Sequence, residues 1–145
     1  MAPGTGRRAI LIEMRVLHRI ALAAEIGLAY GRSRWLLSRR DLPATLRALR
    51  PRTAGSSAAN ADGVAAGLHL AQATGRLLEA LPPADSRCLM RSLVVSRLLD
   101  RRRIPSAVVI GVTSGEAFGA HAWVEVAGHP VLEPGDGSYL RLVEL

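Results

Sequence analysis

The sequence contains one thiol, followed by a histidine in an order that suits nucleophilic chemistry. Cys88 is the single cysteine among 145 residues, and His121 follows it 33 positions later. Cys88 falls in the first turn of a predicted helix, where unpaired backbone amides and the partial positive charge of the helix terminus stabilise a thiolate and can hold an oxyanion. A neighbouring imidazole can accept the thiol proton and remain as a positive partner. The pattern therefore predicts Cys88 as a nucleophile and His121 as its general base.

A third group that orients the imidazole ring would improve such a pair, and the hairpin after His121 offers candidates. In an antiparallel hairpin, each step back along one strand pairs with one step forward along the other. A three-residue loop at 126–128 therefore places His121 opposite Glu133, whose carboxylate can accept the ring hydrogen. A two-residue loop at 127–128 shifts the pairing by one and turns Glu133 to the other face. Asp136 is the reserve acid. We favour Glu133 and keep both loop lengths open.

The other histidines and the nearby tryptophan have simpler interpretations. His18 and His69 lie within helical segments and His129 lies at a hairpin turn, so we expect structural or solvated roles for them. Trp123 shares the strand face of His121, and we favour a place in the core over a cover for the site. A lone cysteine allows neither an intramolecular disulfide nor a thiolate metal cluster. We expect no metal and no organic cofactor.

Hydrophobic periodicity predicts helices in the first half of the chain. The first spans residues 8–30 and is ended by Gly31, a second short helix spans 41–50, and a third spans 61–80. The first helix carries an apolar stripe at steps of three and four, which we expect to be buried. Its members are Ile10, Met14, Leu17, Ala21, Ala24 and Leu28.

A fourth helix is predicted to carry Cys88. Asp85 or Ser86 can cap its first turn, because either side-chain oxygen can accept orphan amide hydrogens. The helix then reaches Arg101 or Arg102, and apolar residues cover most of its circumference. We therefore expect this helix to be nearly buried.

Extended patterns follow the fourth helix. Strands are predicted at 107–113, 120–126 and 130–133, and a closing strand lies within 138–145. Helices followed by strands that hairpins can join predict an α+β fold, with N-terminal helices preceding a catalytic helix packed on an antiparallel sheet.

Length and composition limit the class of protein. A chain of 145 residues is about one domain, so we expect one compact unit with a helical part (1–80) and a catalytic core (81–145). The net charge of +7 is the difference between 19 basic and 12 acidic residues. All 19 basic residues are arginines, which indicates a compositional bias rather than a phosphate-binding surface. Five aromatic residues are too few for base stacking. Charges interrupt the apolar N-terminal stretch, so we expect a cytoplasmic protein with no membrane insertion and no nucleic-acid partner.

Four segments of the C-terminal half, taken together, are specific enough to indicate a protein family. They are CLMRSL (88–93), IPSAVVIGV (104–112), FGAHAWVEV (118–126) and GHPVLE (128–133). The set resembles the leader peptidases of lasso peptide biosynthesis, which are transglutaminase-like cysteine proteases. The resemblance runs from about residue 81 onward, and the chain length is similar to that of the stand-alone protease of split systems.

This resemblance implies a papain/transglutaminase-like fold and a cysteine peptidase that removes the leader from a ribosomally synthesised lasso precursor. The family's nucleophile falls on Cys88 and its general base on His121. Its acid, usually aspartate, falls on Glu133, which is longer by one methylene. The implied partners are the precursor peptide with its leader and core, a separate leader-binding recognition protein, and the lasso cyclase.

Two other functions remain open at this point. In a non-catalytic peptide-binding module, Cys88 would be an inert core residue that alkylates slowly. In a transglutaminase-like acyltransferase or ligase, an amine instead of water would capture a thioester formed at Cys88. Thiol reactivity separates the first alternative from a peptidase, and product mass separates the second.

Overall fold

Three helices and four strands make up the described part of the chain. The computed structural model describes residues 5–39, 44, 61–81, 87–113, 119–135 and 139–144. The elements are α1 (Thr5–Arg39), α2 (Ala61–Glu79), α3 (Arg87–Arg101), β1 (Ala107–Val112), β2 (Ala120–Val126), β3 (His129–Pro130) and β4 (Leu140–Glu144). This succession confirms the α+β class. The predicted helix at 41–50 lies outside the described residues except for the helical Ala44, as do the cap candidates Asp85 and Ser86.

Helix α1 is longer than its sequence pattern predicts. It continues through Gly31 to Arg39, so the prediction that Gly31 ends it was wrong. A glycine inside a helix costs only about 1 kcal/mol relative to alanine. Buried Leu36 lies beyond it, and burial of such a side chain contributes about 1.5–3 kcal/mol, which exceeds that cost.

The buried face of α1 also differs from the predicted one. Met14, Leu17 and Leu28 are 63%, 64% and 71% exposed, so the expectation that they belong to the core was wrong. Apolar side chains occur around most of this helix, and periodicity alone does not identify the stripe that meets α3. The buried side chains recur at steps of three and four and are Ile26, Ala29, Ser33 and Leu36.

Helix α3 is the central helix, as its apolar circumference predicts. It packs on α1, α2, β1 and β2, and Val94, Val95, Leu98 and Leu99 are fully buried. At its C-terminal end, Arg102 donates two hydrogen bonds of 3.1 and 2.8 Å to the carboxylate of Glu25 on α1. These bonds are the largest cause that lowers the pKa of Glu25. Helix α2 matches its prediction and ends at Glu79.

The four strands form an antiparallel sheet in the order β3-β2-β1-β4. Gly111 at the end of β1 lies between His121 of β2 and Arg141 of β4. Strand β1 therefore lies between β2, which carries the predicted base, and β4, which corresponds to the closing strand predicted within 138–145. Within the described part of the chain, no helix combines the length and apolarity that a membrane crossing needs.

Of the two loop lengths that the sequence leaves open, the β2–β3 connection has the two-residue loop. Val126 pairs with His129, and the loop residues Ala127 and Gly128 have φ values of 51° and 75°. Positive φ at both central positions is the geometry of a type I′ turn, whose twist matches the flanking strands. Non-glycine residues rarely adopt such a φ, so a sequence with alanine at position 127 does not predict this turn.

A bulge directly follows the short strand β3. The amides of Val131 and Leu132 both donate to the carbonyl of Val124, at 2.9 and 3.3 Å. Two residues after β3 thus face one residue of β2, which shifts the pairing by one position and bends the chain. The predicted strand at 130–133 is accordingly shorter, and the segment after the bulge runs along β2 toward His121.

Candidate active site

Cys88 is the second residue of α3, as predicted, and its side chain is half-buried. The helix is 15 residues long, and its first backbone amides lack partners within the helix. These amides can donate to a negatively charged oxygen bound beside the thiol.

His121 is the second residue of β2, and its ring is held by the main chain of Glu133. Nε2 lies 2.9 Å from the carbonyl oxygen of Glu133. Because a carbonyl oxygen can only accept, Nε2 must carry the hydrogen of the neutral ring. The lone pair is then on Nδ1, which is the nitrogen able to accept a proton from the thiol.

One cavity of about 230 Å³ brings the predicted site residues together. It lies between the start of α3, the start of β2 and the segment after the bulge. Its lining residues are Cys88, Arg91, His121, Ala122, Leu132, Glu133 and Gly135. The structure thus places Cys88, His121 and Glu133 at one site, whereas Asp136 lies outside the described residues. The described contact to His121 uses the carbonyl oxygen of Glu133, and the role of its carboxylate stays a prediction.

A family model described as the transglutaminase-like superfamily matches residues 21–144. The chain belongs to the transglutaminase-like superfamily. Members of this superfamily are generally cysteine proteases or acyltransferases. No curated protein and no solved structure matches the chain.

Two aromatic rings flank the imidazole of His121 in this transglutaminase-like protein. The His121 ring stacks on Trp123 at a centroid distance of 6.2 Å and an interplanar angle of 21°, and it contacts Tyr139 at 5.2 Å and 36°. Trp123 is 4% exposed, so it fills the core as predicted and also contacts the predicted base. No pattern in the sequence predicts Tyr139 at the site, because this residue precedes β4 and approaches His121 only through the pairing of β4 with β1.

Two glycines make room for these rings. A Cβ atom at Gly111 would lie 2.9 Å from both the Trp123 ring and the Tyr139 side chain. Gly135 has a φ of 85°, and a Cβ there would lie 2.7 Å from the Tyr139 ring. Larger residues at either position would push Tyr139 away from His121.

Arg91 lies one turn after Cys88 and ties α3 to α2. Its Nη2 donates to the carbonyl of Ala71 at 3.3 Å. Gly75 leaves space for the guanidinium, because a Cβ at this position would lie 2.8 Å from Nη2. This contact fixes the first turns of α3, which carry the thiol.

The remaining histidines lie away from this cavity. His18 and His69 are exposed on α1 and α2, and His129 has Nδ1 3.0 Å from the Ala127 carbonyl at the hairpin turn. Among the described residues, no group of three or more His, Cys, Asp or Glu side chains is placed to hold a metal ion.

Proposed function

We propose that the protein is a cysteine peptidase that removes the leader from a ribosomally synthesised lasso precursor peptide. The observation that supports this best is the cavity shared by the Cys88 thiol and a His121 ring whose Nδ1 carries the lone pair. Membership in a superfamily of cysteine proteases and acyltransferases supports the chemistry. The resemblance of the four sequence segments supports the choice of substrate.

The proposed reaction proceeds through a thioester. The Cys88 sulfur bonds to the scissile carbonyl carbon while the thiol proton moves to Nδ1 of His121, and backbone amides at the start of α3 stabilise the oxyanion. The C–N bond then breaks, and the imidazolium gives its proton to the leaving amine, which becomes the amino terminus of the core peptide. His121 next takes a proton from water, whose oxygen bonds to the acyl carbon. The C–S bond breaks, and the proton returns to the thiolate.

The exposed half of α1 supports the proposal of a separate recognition protein. Every side chain from residue 11 to 20 is exposed. The large apolar members of this segment are Leu11, Ile12, Met14, Val16, Leu17 and Ile20. Apolar surface of this kind is typical of sites that other proteins cover. We propose that the leader-binding recognition protein docks here and that the lasso cyclase receives the released core.

Mass spectrometry of a precursor incubated with the protein tests this function. We expect one leader fragment and one core fragment whose summed mass exceeds that of the precursor by one water, and we expect faster cleavage when the leader-binding partner is added. Equal rates with and without the partner would contradict a split system. Linkage of the leader to an amine would instead indicate acyl transfer. An uncut precursor, with Cys88 also slow to alkylate in the folded protein, would favour the binding module.

Replacing Glu133 by glutamine separates the main-chain role of this residue from that of its carboxylate. The Glu133→Gln variant keeps the carbonyl that accepts the hydrogen of His121, so we expect a loss in kcat/KM of less than about tenfold. A loss of two orders of magnitude would show that the carboxylate orients the base. Asp136→Asn is the companion variant, and a larger loss in it would assign the acid to Asp136.

A further inference from the structure

A buried carboxylate lies beside Trp123, and the proposed reaction leaves it without a role. Glu125 is on the same face of β2 as Trp123 and His121, and it is only 9% exposed. One of its oxygens, Oε1, accepts a hydrogen bond of 2.8 Å from the indole Nε1 of Trp123. A charged group at this depth is costly unless it is paired, so its partners are informative.

Arg141 of β4 supplies the compensating charge. Its Nη1 donates to Oε1 of Glu125 at 3.0 Å, and its Nη2 donates to Oε2 at 3.2 Å, which is a two-pronged contact. Arg141 also donates to Glu144 at 3.2 Å. The hydrogen bond to Glu125 is the largest cause that raises the pKa of Arg141. The carboxylate is therefore held from one side by a cation and from the other by the indole.

These contacts form a continuous chain to the imidazole. Arg141 fixes Glu125, Glu125 fixes the rotation of the indole, and the indole face meets the His121 ring at 21°. The edge of the Trp123 ring lies beside Gly111 of β1, where a Cβ atom would be 2.9 Å from it. A free indole could rotate about its side-chain torsions and would no longer present this face.

We propose that Glu125 is a positioning residue that holds the His121 ring through Trp123, with Arg141 as its anchor. The effect on catalysis rests on the proposed function, in which His121 is the base. The effect on the position of the His121 ring does not depend on the proposed function. Alignment of Nδ1 with the thiol depends on the ring plane, and misplacement of a catalytic group by about 1 Å can cost roughly 100-fold in rate.

The variants of the test remove one link at a time. Glu125→Ala removes the carboxylate, Glu125→Gln keeps an oxygen that can accept the indole hydrogen, and Trp123→Phe keeps an aromatic face but lacks the N–H donor. The matched control is Glu25→Gln, which also removes a two-pronged arginine contact. Glu25 lies against the C-terminal end of α3, about 20 Å from the turn of Cys88 at 1.5 Å per residue.

The first readout is the set of ¹⁵N signals of the His121 ring, measured in long-range nitrogen–proton NMR spectra of ¹⁵N-labelled protein. These signals are assigned by their absence from the spectrum of His121→Gln. We expect the wild-type protein and Glu25→Gln to show the Nε2–H tautomer. Glu125→Ala and Trp123→Phe should free the ring to move and so shift its ¹⁵N signals toward the averaged values of a mobile imidazole, and Glu125→Gln should restore the wild-type shifts in part. This readout needs no substrate, so it decides the proposal even if no precursor is cleaved.

The second readout is precursor cleavage. We expect kcat to fall about 100-fold in Glu125→Ala with KM changed less than twofold, and we expect the Glu125→Ala/Trp123→Phe double variant to lose little more than Glu125→Ala alone, because both act on one path. Unchanged ¹⁵N shifts of the His121 ring in folded Glu125→Ala would overturn the proposal, as would losses that multiply in the double variant. If Glu125→Ala does not fold, Trp123→Phe decides by the same criteria.

Discussion

The Cys88→Ala variant should cleave no detectable precursor, a loss on the order of 10⁴-fold or more, while it folds like the wild-type protein. The thioester cannot form without the sulfur, and no other residue can replace it, because the sequence has one cysteine. The fold should tolerate the change. Cys88 is half-buried in the first turn of α3, and alanine is a good helix former.

Thiol labelling supplies the control for this variant. Iodoacetamide should add one group to the wild-type protein and none to Cys88→Ala, and labelling of the wild-type protein should stop cleavage. Circular dichroism and the thermal midpoint should match between the two. Cleavage by a folded Cys88→Ala sample would remove the nucleophile from the proposed mechanism, because no other thiol is present.

The second large effect is expected for His121→Gln, which should lower kcat/KM by about 10²–10⁴-fold. Glutamine has an amide nitrogen that can still donate to the Glu133 carbonyl, but it offers no basic nitrogen to accept the thiol proton. The variant therefore separates proton transfer from placement. Steady-state kinetics over a range of pH would measure the loss.

His129→Gln is the matched control, since His129 lies in the same hairpin and its ring contacts only a turn carbonyl among the hydrogen bonds of the described residues. We expect its kcat/KM to stay within about twofold of wild type, as is usual for exposed positions away from a site. Comparable losses in the two variants would show that the hairpin as a whole, and not the imidazole of His121, controls activity.

Helix α3 and strand β2 were predictable because each carries a strong local pattern. The apolar circumference of α3 requires burial, and the alternation in β2 places His121 and Trp123 on one face. The order of thiol and histidine then indicates which ends of these elements must meet. Their shared cavity depends on tertiary packing, but its members follow from these two local patterns.

Other features depend on interactions that no local pattern contains. Packing against α3 selects the buried stripe of α1 and carries that helix through Gly31. The turn at 127–128 requires a positive φ at an alanine, which sequence rules assign a low frequency. The bulge after β3 then determines which atom of residue 133 faces the ring. Tyr139 and Arg141 reach the site only through the pairing of β4 with β1.

The carbonyl of residue 133 has a consequence for genetics. Substitution changes side chains and leaves carbonyl oxygens in place, so a saturation mutagenesis library of residue 133 would report only on its carboxylate and not on the oxygen that holds the imidazole. Sensitivity should instead appear where the path of the backbone is set, as one-residue insertions or deletions between 127 and 132 and as replacements of Gly135. In such a library, indels would map this part of the site better than amino-acid exchanges.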